Sequence, residues 1–168
     1  MIDKKYYPII VSAFAAAVLT TVPGLKSFAC CLLVPGASVF ALFLDKKMNG
    51  FSQDIKASKA LITGLLTGIL LAIMSSSLEI FITFILKSNE LTVALPEVEI
   101  LMTQMELGPV SDEIVGLLRK ISDEIIRSGF SPTFAFFLFL SNIVTNAIFG
   151  MLGGLLGMTL INRNSQQE

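Results

Sequence analysis

The stretch 60–86, ALITGLLTGILLAIMSSSLEIFITFIL, decides how this chain folds. It holds one ionisable residue, Glu79. As a helix it covers about 40 Å, more than the roughly 30 Å of hydrocarbon in a bilayer. A second stretch, 132–161, PTFAFFLFLSNIVTNAIFGMLGGLLGMTLI, carries no charge at all. Ser131 stands at its N-cap and Pro132 at its first helical position. Two such segments require lipid as solvent. The whole composition agrees: 54% of the 168 residues are hydrophobic and 15% charged, where soluble domains carry about a quarter charged. The mean hydropathy is +0.78.

Working outward, the first apolar block runs from Tyr6 to Leu44 and is interrupted at Pro23-Gly24 and Lys26. As a single helix it would reach about 58 Å, so it must fold back. Pro23-Gly24 is the natural turn, which predicts helices over 6–22 and 25–44, the second kinked at Pro35-Gly36. A shallow re-entrant hairpin is the competing arrangement. Lys4 and Lys5 ahead of an apolar stretch also fit the opening of a signal peptide. A second apolar helix follows at once, however, and Ser27-Phe28-Ala29-Cys30 puts Ser where a lipoprotein cleavage motif wants an aliphatic residue, so no cleavage is expected.

A polar linker, 45–59, leads to the third block. The only sizeable polar region, 87–131, lies between the third and fourth. Its first part predicts a short helix from Leu95 to Leu107, entered at Pro96 and broken at Gly108-Pro109. From Val110 to Arg127, the residues Val110, Ile114, Leu117, Leu118, Ile121 and Ile125 recur at helical spacing, with charges on the other faces. The expected fold is therefore all-α: a single membrane domain over 1–168, with four transmembrane helices in two hairpins (6–22, 25–44, 60–86, 132–161). One or two amphipathic helices complete it in an extracytoplasmic segment, 87–131. Four crossings put Lys4, Lys5, Lys46, Lys47, Lys56, Lys59 and Arg163 on one side, on short stretches. The much longer opposite side has Lys26, Lys87, Arg119, Lys120 and Arg127. That density places both termini in the cytoplasm.

The search for chemistry excludes more than it finds. There is no His, and no Walker loop, GxSxG elbow or HExxH pair. No Asp falls in a predicted span to support intramembrane aspartyl chemistry. The expectation is a protein that is not an enzyme, with no cofactor and no metal site. A net charge of -1 gives no reason to expect nucleic acid. Cys30 and Cys31 are adjacent and read as small membrane residues.

Two features remain. Ala60, Gly64, Gly68, Ala72 and Ser76 recur every four residues in the third block, as do Asn142, Asn146, Gly150 and Gly154 in the fourth, with Gly153 and Gly157 as a second pair. Ser12, Ala16 and Thr20 repeat the device in the first. Small residues let helix backbones approach closely in lipid, within one chain or between copies. The second feature is Glu79, about 12 Å inside the membrane, with Asn142 about 15 Å deep on the facing helix and Asn146 one turn deeper. An intramembrane carboxylate costs several kcal/mol unless paired, hydrated or protonated. It is either a proton- or cation-responsive site or a neutral, snorkelling group that fixes register.

The hairpin Val22-Pro23-Gly24 through Cys30-Cys31 ending in Asp45-Lys46-Lys47, the glycine-rich third helix from Ala60 to Gly68, the polar outer loop and the glycine-rich last helix together resemble a family. They are similar to small four-span bacterial inner-membrane proteins classed as a domain of unknown function, the four-one-nine-nine family. The resemblance implies a location and an architecture and carries no functional residue. The expected role is a non-enzymatic accessory, scaffold or interaction subunit of the inner membrane, in contact with lipid and with a membrane-protein partner or further copies of itself. The alternative is an oligomeric small-solute or ion carrier or channel using Glu79, Asn142 and Asn146.

Overall fold

The computed structural model describes residues 6–22, 24–25, 28–49, 54–104 and 108–165. Among them the fold is all-α, with no strand. The helices are α1 (Tyr7–Leu19), α2 (Val34–Asn49), α3 (Ala57–Leu86), α4 (Glu90–Gln104), α5 (Pro109–Ser128) and α6 (Pro132–Ser165), and a π-helical turn, Ala29–Leu33, precedes α2.

Among the described residues two helices, Ala57–Leu86 and Pro132–Arg163, are long and apolar enough to cross a membrane, where four were expected. The shortfall lies in the first hairpin. At 13 residues, α1 covers about 20 Å. It stops at Leu19 because the Thr20 and Thr21 hydroxyls donate to the Ala17 and Val18 carbonyls, 2.6 and 2.7 Å, while the Thr21 and Val22 amides close tight turns onto Val18 and Leu19. Gly24, at φ +91°, then allows Leu25 N–H to reach Val22 C=O at 3.2 Å. Pro23, Lys26, Ser27 and the lysines at 4 and 5 lie outside the described residues.

The expected helix 25–44 is also corrected. The π-helical turn Ala29–Leu33 comes first and leads directly into α2, so Pro35 stands within a continuous helical run that its missing N–H interrupts. That helix runs on to Asn49, past the expected end at Leu44, so Lys46 and Lys47 occupy its last turn, where cations suit the helix dipole. Asp45, buried, pairs with Lys59 in the first turn of α3 at 2.7 Å.

The helix expected to open at Pro96 begins six residues earlier. Asn89 and Thr92 form a reciprocal cap: Thr92 N–H donates to Asn89 Oδ1 and Asn89 N–H to Thr92 Oγ1, both 3.0 Å. This nucleus outweighs the hydrogen bond lost at Pro96, which stands inside α4. Leu107 lies outside the described residues. The amphipathic helix is one residue longer at each end than expected, with Pro109 opening it and left-handed Gly129 (φ +79°) stopping it.

The described chain divides into two compact units, with boundaries between Leu78 and Glu79 in α3 and between Leu138 and Phe139 in α6. The first unit has its core where Ala13 and Ala16 of α1 meet Val34 and Ala37 of α2 and Leu71 of α3. A smaller cluster joins Leu42, Ile55, Ala60 and Ile161. The second unit contains α4, α5 and the adjoining ends of α3 and α6.

Candidate functional site

In the first unit, the two small-residue stripes meet. A Cβ built on Gly64 would collide with the Gly150 carbonyl, one on Gly68 with the Asn146 carbonyl, and one on Gly154 with the Ala60 carbonyl. Each pair steps by four on both helices in opposite directions, so α3 and α6 run antiparallel with their backbones in contact. Ala72 and Ser76 are fully buried, and the Asn142 amide donates to Ser76 Oγ at 2.8 Å. The second glycine pair serves a different neighbour: Gly153 faces the Pro35 backbone and Gly157 faces Val39 and Leu42 of α2. One helix thus presents small residues to two partners.

The residues that meet in this seam are small or polar. Ser76 and Asn146 are buried, as are Thr63 and Thr67 of α3, and Thr67 satisfies its hydroxyl within the helix by donating to the Thr63 carbonyl at 2.8 Å. The exterior is large and apolar. Leu140, Val144, Ile148, Leu152, Leu156 and Leu160 are each about half exposed along one face of α6, and only 22% and 11% of the apolar windows of α3 and α6 are buried.

Glu79 and Asn142 fall in different units. Glu79 is half-buried at the start of the second, and the partner of the Asn142 amide is Ser76. Asn146 lies in the seam with Asn142, its backbone carbonyl against Gly68. In α1, Ser12 and Ala16 are buried and Thr20 half-buried, and the Ser12 hydroxyl has no hydrogen-bond partner among the described residues.

In the second unit, α4 and α5 form a helical hairpin. Arg119 binds Glu99 through two parallel bonds, Nε to Oε1 at 2.6 Å and Nη2 to Oε2 at 2.8 Å. These hydrogen bonds hold the Glu99 carboxyl below its ordinary range against the opposing effect of desolvation, and they raise Arg119. Ser111 Oγ donates to the Met102 carbonyl at 3.1 Å. The apolar face of α5 is split: Ile121 and Ile125 are buried and Leu118 half-buried, whereas Val110, Ile114 and Leu117 stay exposed. No residue of α4 is buried. At the other end, Gly129 sits against the Phe84 backbone. Ser131 Oγ donates to Glu124 Oε2 at 2.6 Å while accepting from Phe134 N–H, which caps α6.

Several of these groups escape a reading by composition. Asn162 clamps the backbone of Ile55 from both sides, accepting from its N–H at 2.9 Å and donating to its C=O at 3.1 Å. The one available signal was an amide in the last turn of an apolar helix. Glu99 and Arg119 are twenty residues apart and meet only because the hairpin closes. Among the described residues, no three His, Cys, Asp or Glu side chains gather to hold a metal ion. Comparison of the chain with known protein families, curated proteins and solved structures finds no match, so the resemblance drawn from its sequence rests on the residues quoted for it.

Proposed function

We propose that the chain is a multi-pass membrane protein of the bacterial inner membrane that acts by engaging a partner, without catalysis. The observation that carries this reading is the contrast, in the first unit, between the α3–α6 contact and the outer face of α6. The α3–α6 seam buries Gly, Thr, Ser and Asn, and α6 turns a row of Leu, Val and Ile outward. A helix pair in water does the opposite, whereas in lipid apolar surface needs no cover and close backbone packing holds helices together.

The topology that fits best has two full crossings, α3 and α6, with α1 and α2 forming a hairpin inserted from the side of the termini. Four crossings would require α1 to span on about 20 Å of helix, two-thirds of the hydrocarbon thickness. Both arrangements put the termini and the linker around Asp54 on the lysine-rich cytoplasmic side and α4–α5 outside. The interaction element is the outer hairpin, which keeps Val110, Ile114 and Leu117 exposed beside a helix with no buried residue. A carrier using Glu79, Asn142 and Asn146 has less support. Along 60–68 and 146–154 the backbones touch, leaving no aqueous path between α3 and α6 there.

The test is affinity purification of the tagged full-length protein after mild extraction. A specific membrane partner is expected to co-purify, and Leu117→Asp, on the exposed face, is expected to release it. Ile121→Asp strikes a buried position and serves as the control for loss of the helix itself. Recovery of the protein alone contradicts the interaction role. Flux through liposomes that Glu79→Gln abolishes would favour the carrier.

A further inference from the structure

The outer hairpin combines exposed apolar surface with a stretch poor in cations. From Ser88 to Leu118 the sequence has six carboxylates and no Lys or Arg; the cations of the segment stand at Lys87 and from Arg119 onward. Over that same stretch Val93 is 72% and Ile100 59% exposed, and with Pro96 they fall on one face of α4 at i, i+3 and i+7. Between α4 and α5 lies an open groove of about 980 Å³, lined by Pro96, Ile100, Val115 and Gly116 together with Asp112 and the Glu99–Arg119 pair. Among the described residues nothing stands within 4 Å of the place a Gly116 Cβ would take, so there the groove reaches down to the backbone of α5. Glu99 is matched by Arg119, which leaves Asp112 as the other carboxylate lining the groove, and Glu97 and Glu113 are exposed on the two helices that form it.

We infer that this acid-edged groove receives a cationic amphipathic helix of a partner protein. The inference rests on the outer hairpin being the interaction element and adds the chemistry of what it binds. A groove between two helices with apolar side chains at turn spacing fits a third helix laid into it, apolar face inward. The carboxylates along its edges select lysine or arginine on the flanks of that helix and repel an acidic one. A membrane surface is the other apolar occupant to weigh. Helices that lie on anionic membranes carry Lys and Arg around the apolar face, and this stretch has none.

The test uses the full-length protein in zwitterionic phosphatidylcholine nanodiscs, with protein-free discs as baseline. Two fluorescent model peptides are titrated: a leucine–lysine amphipathic helix and its leucine–glutamate twin. The lysine peptide is expected to bind above baseline and about tenfold tighter than its twin. Glu97→Lys with Glu113→Lys, both at exposed positions, is expected to reverse that order. Gly116→Trp adds bulk at a Cβ position with no described neighbour and is expected to abolish binding without lowering the thermal unfolding temperature. Equal binding of the two peptides, an order unchanged by the charge reversal, or binding no greater than to protein-free discs overturns the inference, the last assigning the face to lipid. A native partner that co-purifies equally well with the Gly116→Trp protein overturns the groove and leaves the interaction role standing.

Discussion

Glycine does opposite things at two helical positions of this chain. At Gly150 a methyl group would meet the Gly64 carbonyl, and backbone cannot yield as a flexible side chain can. Gly150→Ala is expected to destabilise by about 1–3 kcal/mol, the range of overpacked cores. At Gly116 the same change meets nothing and improves helix propensity by about 0.8–1 kcal/mol. Thermal unfolding of the two variants in one detergent checks the contrast. A second pair of residues separates packing from hydrogen bonding. Ser12 is fully buried with an orphan hydroxyl, so Ser12→Ala is expected to be neutral or stabilising, because a buried unsatisfied group costs about 1–3 kcal/mol. Asn142→Ala removes the donor to Ser76 and is expected to cost about 0.6–1.7 kcal/mol, the range for hydrogen bonds between membrane helices. The Glu99–Arg119 pair adds a pH dependence. The folded pKa of Glu99 is lowered, chiefly by its hydrogen bonds to Arg119. The pair therefore supports the hairpin above the ordinary carboxylate pKa, and that support is lost as pH falls through the lowered folded value. Titration of Glu99 by NMR should show its midpoint below that of a free glutamate, and Arg119→Gln should raise it.

At the scale of the element, the long helices were legible and the short ones were not. Length and apolar composition are read over a whole helix, so the blocks around Gly64 and Gly150 announce themselves as long enough to cross a membrane, and the four-residue period of their small residues gives the face that packs. The ends of helices are decided by single hydrogen bonds. Thr20 and Thr21 end α1 from within an apolar run that reads as continuing to Val22. The Asn89–Thr92 cap starts α4 ahead of a proline that looks like a beginning. Asn89→Ala is expected to fray that helix to Pro96 and to cost about 1 kcal/mol, seen as faster amide exchange over residues 90–95 with α5 unaffected. The candidate site was half legible. The apolar spacing of α5 was plain, but which of those residues face outward depends on α4, whose length was misread.

For the whole molecule, the proposed function requires α3 and α6 to cross the bilayer in opposite directions, with the hairpin α4–α5 outside and the linker before α3 in the cytoplasm. A first hairpin that enters and leaves by one face keeps this sidedness while reducing four crossings to two. Labelling at Gly24 separates these arrangements: a re-entrant turn stays shielded from an external impermeant reagent, and a fully crossed one reacts. The most direct measurement is sidedness at two exposed positions, Lys56 and Thr103, each replaced by cysteine in a background lacking Cys30 and Cys31. An impermeant maleimide applied to intact cells is expected to label the cysteine at 103 and to reach the one at 56 only after the inner membrane is opened. Equal labelling of both positions in intact cells, or of neither, contradicts the crossing of α3.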